Sequence, residues 1–413
     1  MAGLPALTSN LAYLGLIFAL IVIPRALQRF RLPAPLSSFG LGMLAAWLLG
    51  GAIHDPTLAL LSALGISALF LFAGLDVDVQ DLRRGFRPLL SHLLVQSLLL
   101  AGSVWLGMRY FGLPWNTATL IGLALLTPST GFILEALPAL GVDADERFWI
   151  AVKAVGGEIL ALVIAFVVLQ AGSTTTLAVS SLVIVFMVFG IPLLLRWLVR
   201  LVVPYAPGAE FSLLLMVGLV AAYLTERLGV NYLFGAFLAG FIARRLRSRL
   251  PKLASGENLR AIQLFASFFI PFYFFAAGMD VPATALNWNA LELGLVFTGV
   301  ALPLRIAIVW LQRRFIKGET AVGSFKVAIA LTPTLIFTLV LAAILRERFH
   351  IADTLYGGLL VYAGTSTLLP AFALAQRADL TSWLPRDEAV EQAEANEQIA
   401  TVAPGLDEER AAP

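Results

Sequence analysis

One carboxylate stands almost alone in the apolar stretches of this 413-residue chain: Glu158, in the segment Ala154-Val155-Gly156-Gly157-Glu158. It lies about eleven residues into a long apolar run, roughly 16 Å along a helix rising about 1.5 Å per residue. A carboxylate at that depth in hydrocarbon is costly, so it must face a protein interior or a water-filled cavity. Such a group can carry a proton or, once ionised, help to hold a cation. Arg305 is the second ionisable residue deep in a run, just after Pro303. Guanidinium does not deprotonate in proteins, so Arg305 is a permanent charge. It can pair with Glu158 or neutralise the C-terminal ends of helices. Lys153 lies nearer a run's end and can snorkel. Two Thr-Pro elements complete the inventory: Thr127-Pro128-Ser129-Thr130 and Thr332-Pro333-Thr334. A proline inside a helix removes a donor and clashes with the carbonyl four residues earlier. The freed groups need partners, which Ser and Thr hydroxyls can supply. Half-helix ends at such a break carry partial charges of either sign. Thr127, Ser129, Thr130, Thr332 and Thr334 are therefore candidate ion ligands around Glu158, with Pro128 and Pro333 as helix breakers.

Other chemistries are poorly supplied. There is no cysteine, and the three histidines, His54, His92 and His350, are far apart and lack ligand spacing. They read as packing or interfacial residues. No cofactor, no metal beyond a transported cation and no enzymatic activity is expected.

The elements that position these residues belong in a membrane. The chain is 59% hydrophobic and 13% charged, with a mean hydropathy of +0.88, whereas a soluble domain carries roughly 25% charged residues. The lipid bilayer is thus its solvent. The net charge of +2 and pI near 9.0 do not argue for nucleic acid. Backbone polar groups must be satisfied internally in lipid, and runs this continuously apolar are helices, not barrel strands. Hydropathy gives about thirteen of them, near 9–28, 34–52, 57–76, 88–112, 115–138, 147–171, 175–203, 209–227, 230–244, 259–279, 288–312, 321–346 and 351–375. The first has no basic stretch before it and reads as a retained span. The acidic segment from Arg386 reads as a disordered or frayed tail. The expected organisation is a transmembrane domain over 1–376 and a short cytoplasmic tail over 377–413.

Alternate loops are rich in Arg and Lys: Arg25, Arg29, Arg31; Arg83, Arg84, Arg87; Arg196, Arg200; Arg244, Arg245, Arg247, Arg249, Lys252; Arg313, Arg314, Lys317. The opposite loops hold little beyond Arg109, Arg227, Arg346 and Arg348. Positive loops stay inside, so the N-terminus is expected outside and the C-terminus in the cytoplasm.

The chain also resembles itself. Phe72-Ala73-Gly74-Leu75-Asp76-Val77 ends the third run and Ala276-Ala277-Gly278-Met279-Asp280-Val281 ends the tenth. The two Thr-Pro elements are separated by nearly the same interval. This pairs runs one to six (about 9–171) with runs eight to thirteen (about 209–375), leaving the seventh (175–203) as a linker. An odd offset places the second copy upside down, the inverted repeat of many secondary transporters. Paired interruptions at matching positions point to the transport site.

Leu32-Pro33, Phe72 to Asp78, Ser129-Thr130, Gly235-Ala236-Phe237-Leu238-Ala239-Gly240 and Phe274 to Asp280 together resemble the monovalent cation:proton antiporter superfamily, over roughly residues 10–376. The resemblance implies a homodimer with a dimerisation domain and a mobile core of runs four to six and eleven to thirteen, the fifth and twelfth unwound and crossing. It maps the family's carrier acid onto Glu158, its partner position onto Gly157, and a basic residue onto Arg305. Here the acid is Glu where the family has Asp, and the paired position is empty. A single carboxylate makes one proton for one cation, Na+ or K+, the natural stoichiometry, and the cycle electroneutral. No nucleotide-binding domain of the kind some family members carry is expected after the last span. A sodium-coupled organic-anion symporter of the related bile-acid-transporter type, a gated cation channel and a non-transporting sensor are the rival expectations.

Overall fold

The computed structural model describes residues 6–49, 55–77, 79–137, 140–206, 208–228, 232–246, 253, 255–316, 318 and 320–374. His54, Asp78, Arg247, Arg249, Lys252, Lys317 and the acidic tail lie outside them. Every regular element among the described residues is helical. Nine helical stretches there are long and apolar enough to cross a membrane. The remaining runs fall on shorter or partly described helices, so a count of thirteen crossings rests on the sequence reading.

One group of helices comprises α1 (Ala6–Gln28), α2 (Ala34–Leu49) and α3 (Pro56–Asp76) with α10 (Glu210–Arg227), α11 (Tyr232–Arg245) and α12 (Gly256–Met279). Within it α12 packs on α2 and α3, and α11 packs on α3 and α10. Glycines set these contacts. A Cβ on Gly278 of α12 would lie 2.1 Å from the Phe39 carbonyl of α2, and one on Gly42 of α2 would lie 2.0 Å from the Phe275 carbonyl of α12. Gly74 of α3 and Gly240 of α11 face each other's backbones in the same way, at 2.1 Å each. Helices in lipid gain from such close approach, because packing replaces the hydrophobic effect as the driving force. The repeated Gly-x-Asp-Val elements are thus helix-crossing points before they are helix ends.

A short helix and a long strut connect the groups. α4 (Val79–Arg84) precedes α5 (Phe86–Phe111), and α9 (Thr174–Val202) touches α8, α10 and α11. The second group holds α5, α6 (Trp115–Leu126), α7 (Thr130–Ala136), α8 (Ala144–Gln170), α13 (Trp288–Leu311), α14 (Ala321–Ala330), α15 (Leu335–Phe349) and α16 (Asp353–Ala373). Here α13 packs on α16, α5 on α6, and α15 on both α6 and α16.

Local signals explain where the helices start. Asp143 and Glu146 form a reciprocal capping box at α8, and Ser255, Asn287 and Thr320 cap α12, α13 and α14 through their side chains. Asp55 caps α3 by accepting from Leu58 N at 2.9 Å. The Tyr13 hydroxyl also donates to Asp55, and these bonds hold the carboxyl below its usual range. α13 continues as a π turn, Gln312–Ile316, in place of ending cleanly. Its Arg313 is 1% exposed, and Gln312 is buried as well. That turn explains a departure from expectation. Lys153 does not snorkel; it is 1% exposed and donates to Gln312 Oε1 at 3.0 Å, while Gln312 Nε2 donates to Ser91 Oγ at 2.5 Å.

Candidate functional site

The fifth and twelfth runs are both broken where the prolines stand. α6 ends at Leu126 and α7 begins at Thr130; α14 ends at Ala330 and α15 begins at Leu335. Thr127 is extended, at φ −83° and ψ 122°, as the residue before a proline should be. The two breaks touch. Ser129 N donates to Pro333 O at 2.8 Å, and Ser129 Oγ accepts from Ile336 N at 3.1 Å and Phe337 N at 3.3 Å. Ser129 therefore caps the start of α15 from the opposite break.

Several carbonyls freed by the interruptions accept from side chains of other helices. Thr338 Oγ1 donates to Ala124 O at 2.7 Å, and Tyr362 Oη donates to Leu125 O at 2.6 Å. On the other break, Arg305 Nη2 donates to Leu331 O at 2.8 Å and Nη1 to Thr332 O at 3.0 Å; Nη1 also donates to Tyr362 Oη at 3.0 Å. A permanent cation here satisfies the negative end of a half-helix within the membrane. Of the two roles open to Arg305, the geometry shows the carbonyl one: its bonds go to this helix end and not to Glu158. Thr332 Oγ1 donates to Ile329 O at 2.8 Å and Ser366 O at 3.2 Å, and Thr334 Oγ1 bonds Ser366 Oγ at 3.0 Å.

Glu158 comes to the first break from α8. It is 4% exposed, and its Oε2 accepts from Thr130 N, the first residue of α7, at 3.1 Å. Two hydroxyls at this break are buried and uncommitted. Thr127 Oγ1 has no hydrogen-bond partner, and Thr130 Oγ1 stands beside the Glu158 carboxylate without a hydrogen bond of ordinary geometry. The sequence-derived set therefore divides. Glu158, Thr127 and Thr130 present oxygens that the fold does not use up. Ser129, Thr332 and Thr334 spend theirs on holding the crossing together. Tyr362 and Thr338 were not singled out from sequence, because nothing in their own segments marks them; their role exists only once α6, α13, α15 and α16 are side by side.

A cleft of about 670 Å3 leads toward this point. It is lined by Arg25 and Gln28 of α1, Asp76 of α3 and Arg260 of α12, and it reaches Gly131, next to Thr130. A smaller cavity of about 40 Å3, room for a water molecule or two, lies between His92, Gln96, Pro128, Arg305 and Leu331. Among the described residues no group of three or more His, Asp or Glu is placed to hold a resident metal ion.

Comparison with known proteins places this architecture. Residues 15–376 match the family model described as sodium/hydrogen exchanger, transmembrane. A Na(+)/H(+) antiporter of Enterococcus hirae is 27% identical over 291 residues, 68% of this chain and 74% of that protein. The glutathione-regulated potassium-efflux system protein KefC of Salmonella newport (strain SL254) is 25% identical over 336 residues. That match takes in 75% of this chain but only 50% of the relative, so the chain spans about half the length of the potassium-efflux protein. The sodium proton antiporter MjNhaP1 from Methanocaldococcus jannaschii shares the fold, with a TM-score of 0.63 over 89% of this chain and 96% of that one, at 14% identity. The chain belongs to the transmembrane sodium/hydrogen exchanger family.

Proposed function

We propose that this protein exchanges a monovalent cation, Na+ or K+, for a proton across a bacterial inner membrane, with Glu158 as the shared carrier. The observation that carries the reading is the placement of Glu158. A single buried carboxylate meets an unwound helix where the Thr127 and Thr130 hydroxyls have no other work. One carboxylate has one charge to share, so proton and cation exclude each other. Each cycle then moves one cation one way and one proton the other, with no net charge. The names of the Enterococcus and Salmonella relatives support a sodium or potassium substrate.

The helix grouping supports the following reading of the rest of the machine. The α5–α8 and α13–α16 group is the moving core, and the α1–α3 and α10–α12 group is the frame that pairs with a second copy in a homodimer. The two halves are inverted repeats of six spans joined by α9, thirteen spans in all. The N-terminus lies outside and the C-terminus inside, which puts the Arg25 and Arg260 cleft on the cytoplasmic side. That cleft is the inward-open access path, and the core's rocking closes it and opens the other face. The proteins are compared in liposomes holding an internal pH dye, after an acid gradient is imposed and Na+, K+ or Li+ is added. Cation-evoked proton movement in the wild type and none in Glu158→Gln is the expected result. No response to any ion, or an equal response in both proteins, overturns the proposal.

A further inference from the structure

Gly157 leaves a gap beside the carrier, and a side chain from a different helix fills it. A Cβ built on Gly157 would lie 3.0 Å from Gln96 Oε1, 3.4 Å from Gln96 Nε2 and 3.5 Å from the Pro128 ring. Gln96 belongs to α5, so its amide lies against α8 at the residue next to Glu158, and against the break that carries Thr127. Its two ends are not equivalent. Nε2 points at the Leu126 carbonyl, the last residue of α6, at a long 3.5 Å. This orientation sets a donor toward that carbonyl, whereas the reverse would set two acceptors face to face. Oε1 is left buried with no hydrogen-bond partner. A buried, unsatisfied amide oxygen costs free energy unless something binds it.

The surroundings say what that something is. Among the described residues, three of the five buried side-chain oxygens without partners lie on or against one stretch of chain: Thr127 Oγ1 and Thr130 Oγ1 on the break, and Gln96 Oε1 against it; Ser324 Oγ and Thr367 Oγ1 are the other two. The carboxylate of Glu158 supplies the only negative charge among them. Neutral carbonyl and hydroxyl oxygens around one carboxylate suit a hard cation, whose ligands are oxygens.

We propose that Gln96 is a cation ligand and specificity determinant of the exchange site, its amide oxygen occupying the room that Gly157 leaves beside Glu158. This rests on the exchange reading above. A neutral ligand in that place adds coordination without adding a second titratable group, so the site keeps one charge.

The test uses the full chain, purified and reconstituted, as wild type, Gln96→Leu and Gln96→Glu. Two quantities are read for Na+, K+ and Li+: the rise in melting temperature on adding the chloride salt, with choline chloride as control, and the cation KM of proton exchange in liposomes. Leucine matches the volume and removes the oxygen. A protonated glutamic acid keeps both a carbonyl oxygen and a donor for Leu126. Gln96→Leu is expected to raise the cation KM about ten-fold or more, to change the ratio of KM values between ions, and to lose most of the cation-induced thermal shift. Its melting temperature without cation should stay near that of the wild type, which separates lost binding from lost structure. Gln96→Glu should retain the shift. Exchange in the wild type with KM values and ion ratios in Gln96→Leu within two-fold of it overturns the Gln96 proposal alone. A cation-induced shift in a wild type that shows no exchange overturns the exchange reading, and the loss or survival of that shift in Gln96→Leu then decides Gln96. A Gln96→Leu protein that already melts lower without cation and keeps its full shift assigns Gln96 to structure. A wild type with neither shift nor exchange overturns both.

Discussion

Replacing Arg305 by methionine separates two accounts of the buried guanidinium. The side chain keeps most of its length and loses three hydrogen bonds, to Leu331 O, Thr332 O and Tyr362 Oη, at 2.8–3.0 Å. Interhelical hydrogen bonds in membranes contribute about 0.6 kcal/mol on average and up to roughly 1.7 kcal/mol. Three of them make about 2–5 kcal/mol, before any cost of leaving the Leu331 and Thr332 carbonyls unpaired in a dry interior. The expected outcome is a clearly lower melting temperature in detergent, together with slower exchange at every cation concentration, because the α14–α15 break no longer holds its shape. Arg305→Lys restores a charge but not the fork that serves two carbonyls at once, so it should recover only part of the stability. Thermal unfolding and initial exchange rates of the two variants and the wild type read this out. A protein of unchanged melting temperature whose only defect is an altered apparent cation affinity would refute the reasoning. It would show that Arg305 acts on Glu158 through space and not on the helix end.

Three further expectations follow from the same geometry. Thr127→Ala and Thr130→Ala should raise the cation KM several-fold with little change in melting temperature, since neither hydroxyl holds the fold together. Ser129→Ala should do the reverse: it removes the acceptor for Ile336 N and Phe337 N and should cost about 1–2 kcal/mol, the range for a lost helix cap. Gly278→Ala should lower the melting temperature by the equivalent of about 1–3 kcal/mol, because its Cβ would meet the Phe39 carbonyl at 2.1 Å and α2 and α12 would have to part.

The sequence revealed the helices and both breaks because hydropathy and proline act locally. Pro128 and Pro333 interrupt their helices whatever lies beside them, and Glu158 stands out because a lone carboxylate in an apolar run has few explanations. What the sequence hid is tertiary. Five hydroxyl-bearing residues by the prolines look alike in a row of letters, yet Ser129 caps a helix in the other half while Thr127 caps nothing. Lys153 looked free to reach the surface until the π turn of α13 brought Gln312 to it. The repeated Gly-x-Asp-Val segments drew attention to their aspartates, although their glycines make the closest contacts. Gln96 carried a signal that could have been read: it is a polar residue inside the apolar fourth run, and the empty Gly157 left room for one. Only the packing of α5 against α8 shows that the two belong together.

The central claim is that one carboxylate serves proton and cation in turn, one for one. Its most direct test is the null point of exchange. Liposomes are prepared with a fixed pH gradient, and the opposing gradient of the transported cation is varied until proton movement stops. This is repeated at membrane potentials set with an ionophore for an ion the protein does not carry. The account predicts that flux stops when the cation and proton gradients are equal, and that the null point stays there at every potential. A cycle moving one net charge would shift by about 2.3 kcal/mol per 100 mV, roughly a fifty-fold change in the balancing gradient. A null point that moves with voltage would contradict the single-carboxylate mechanism.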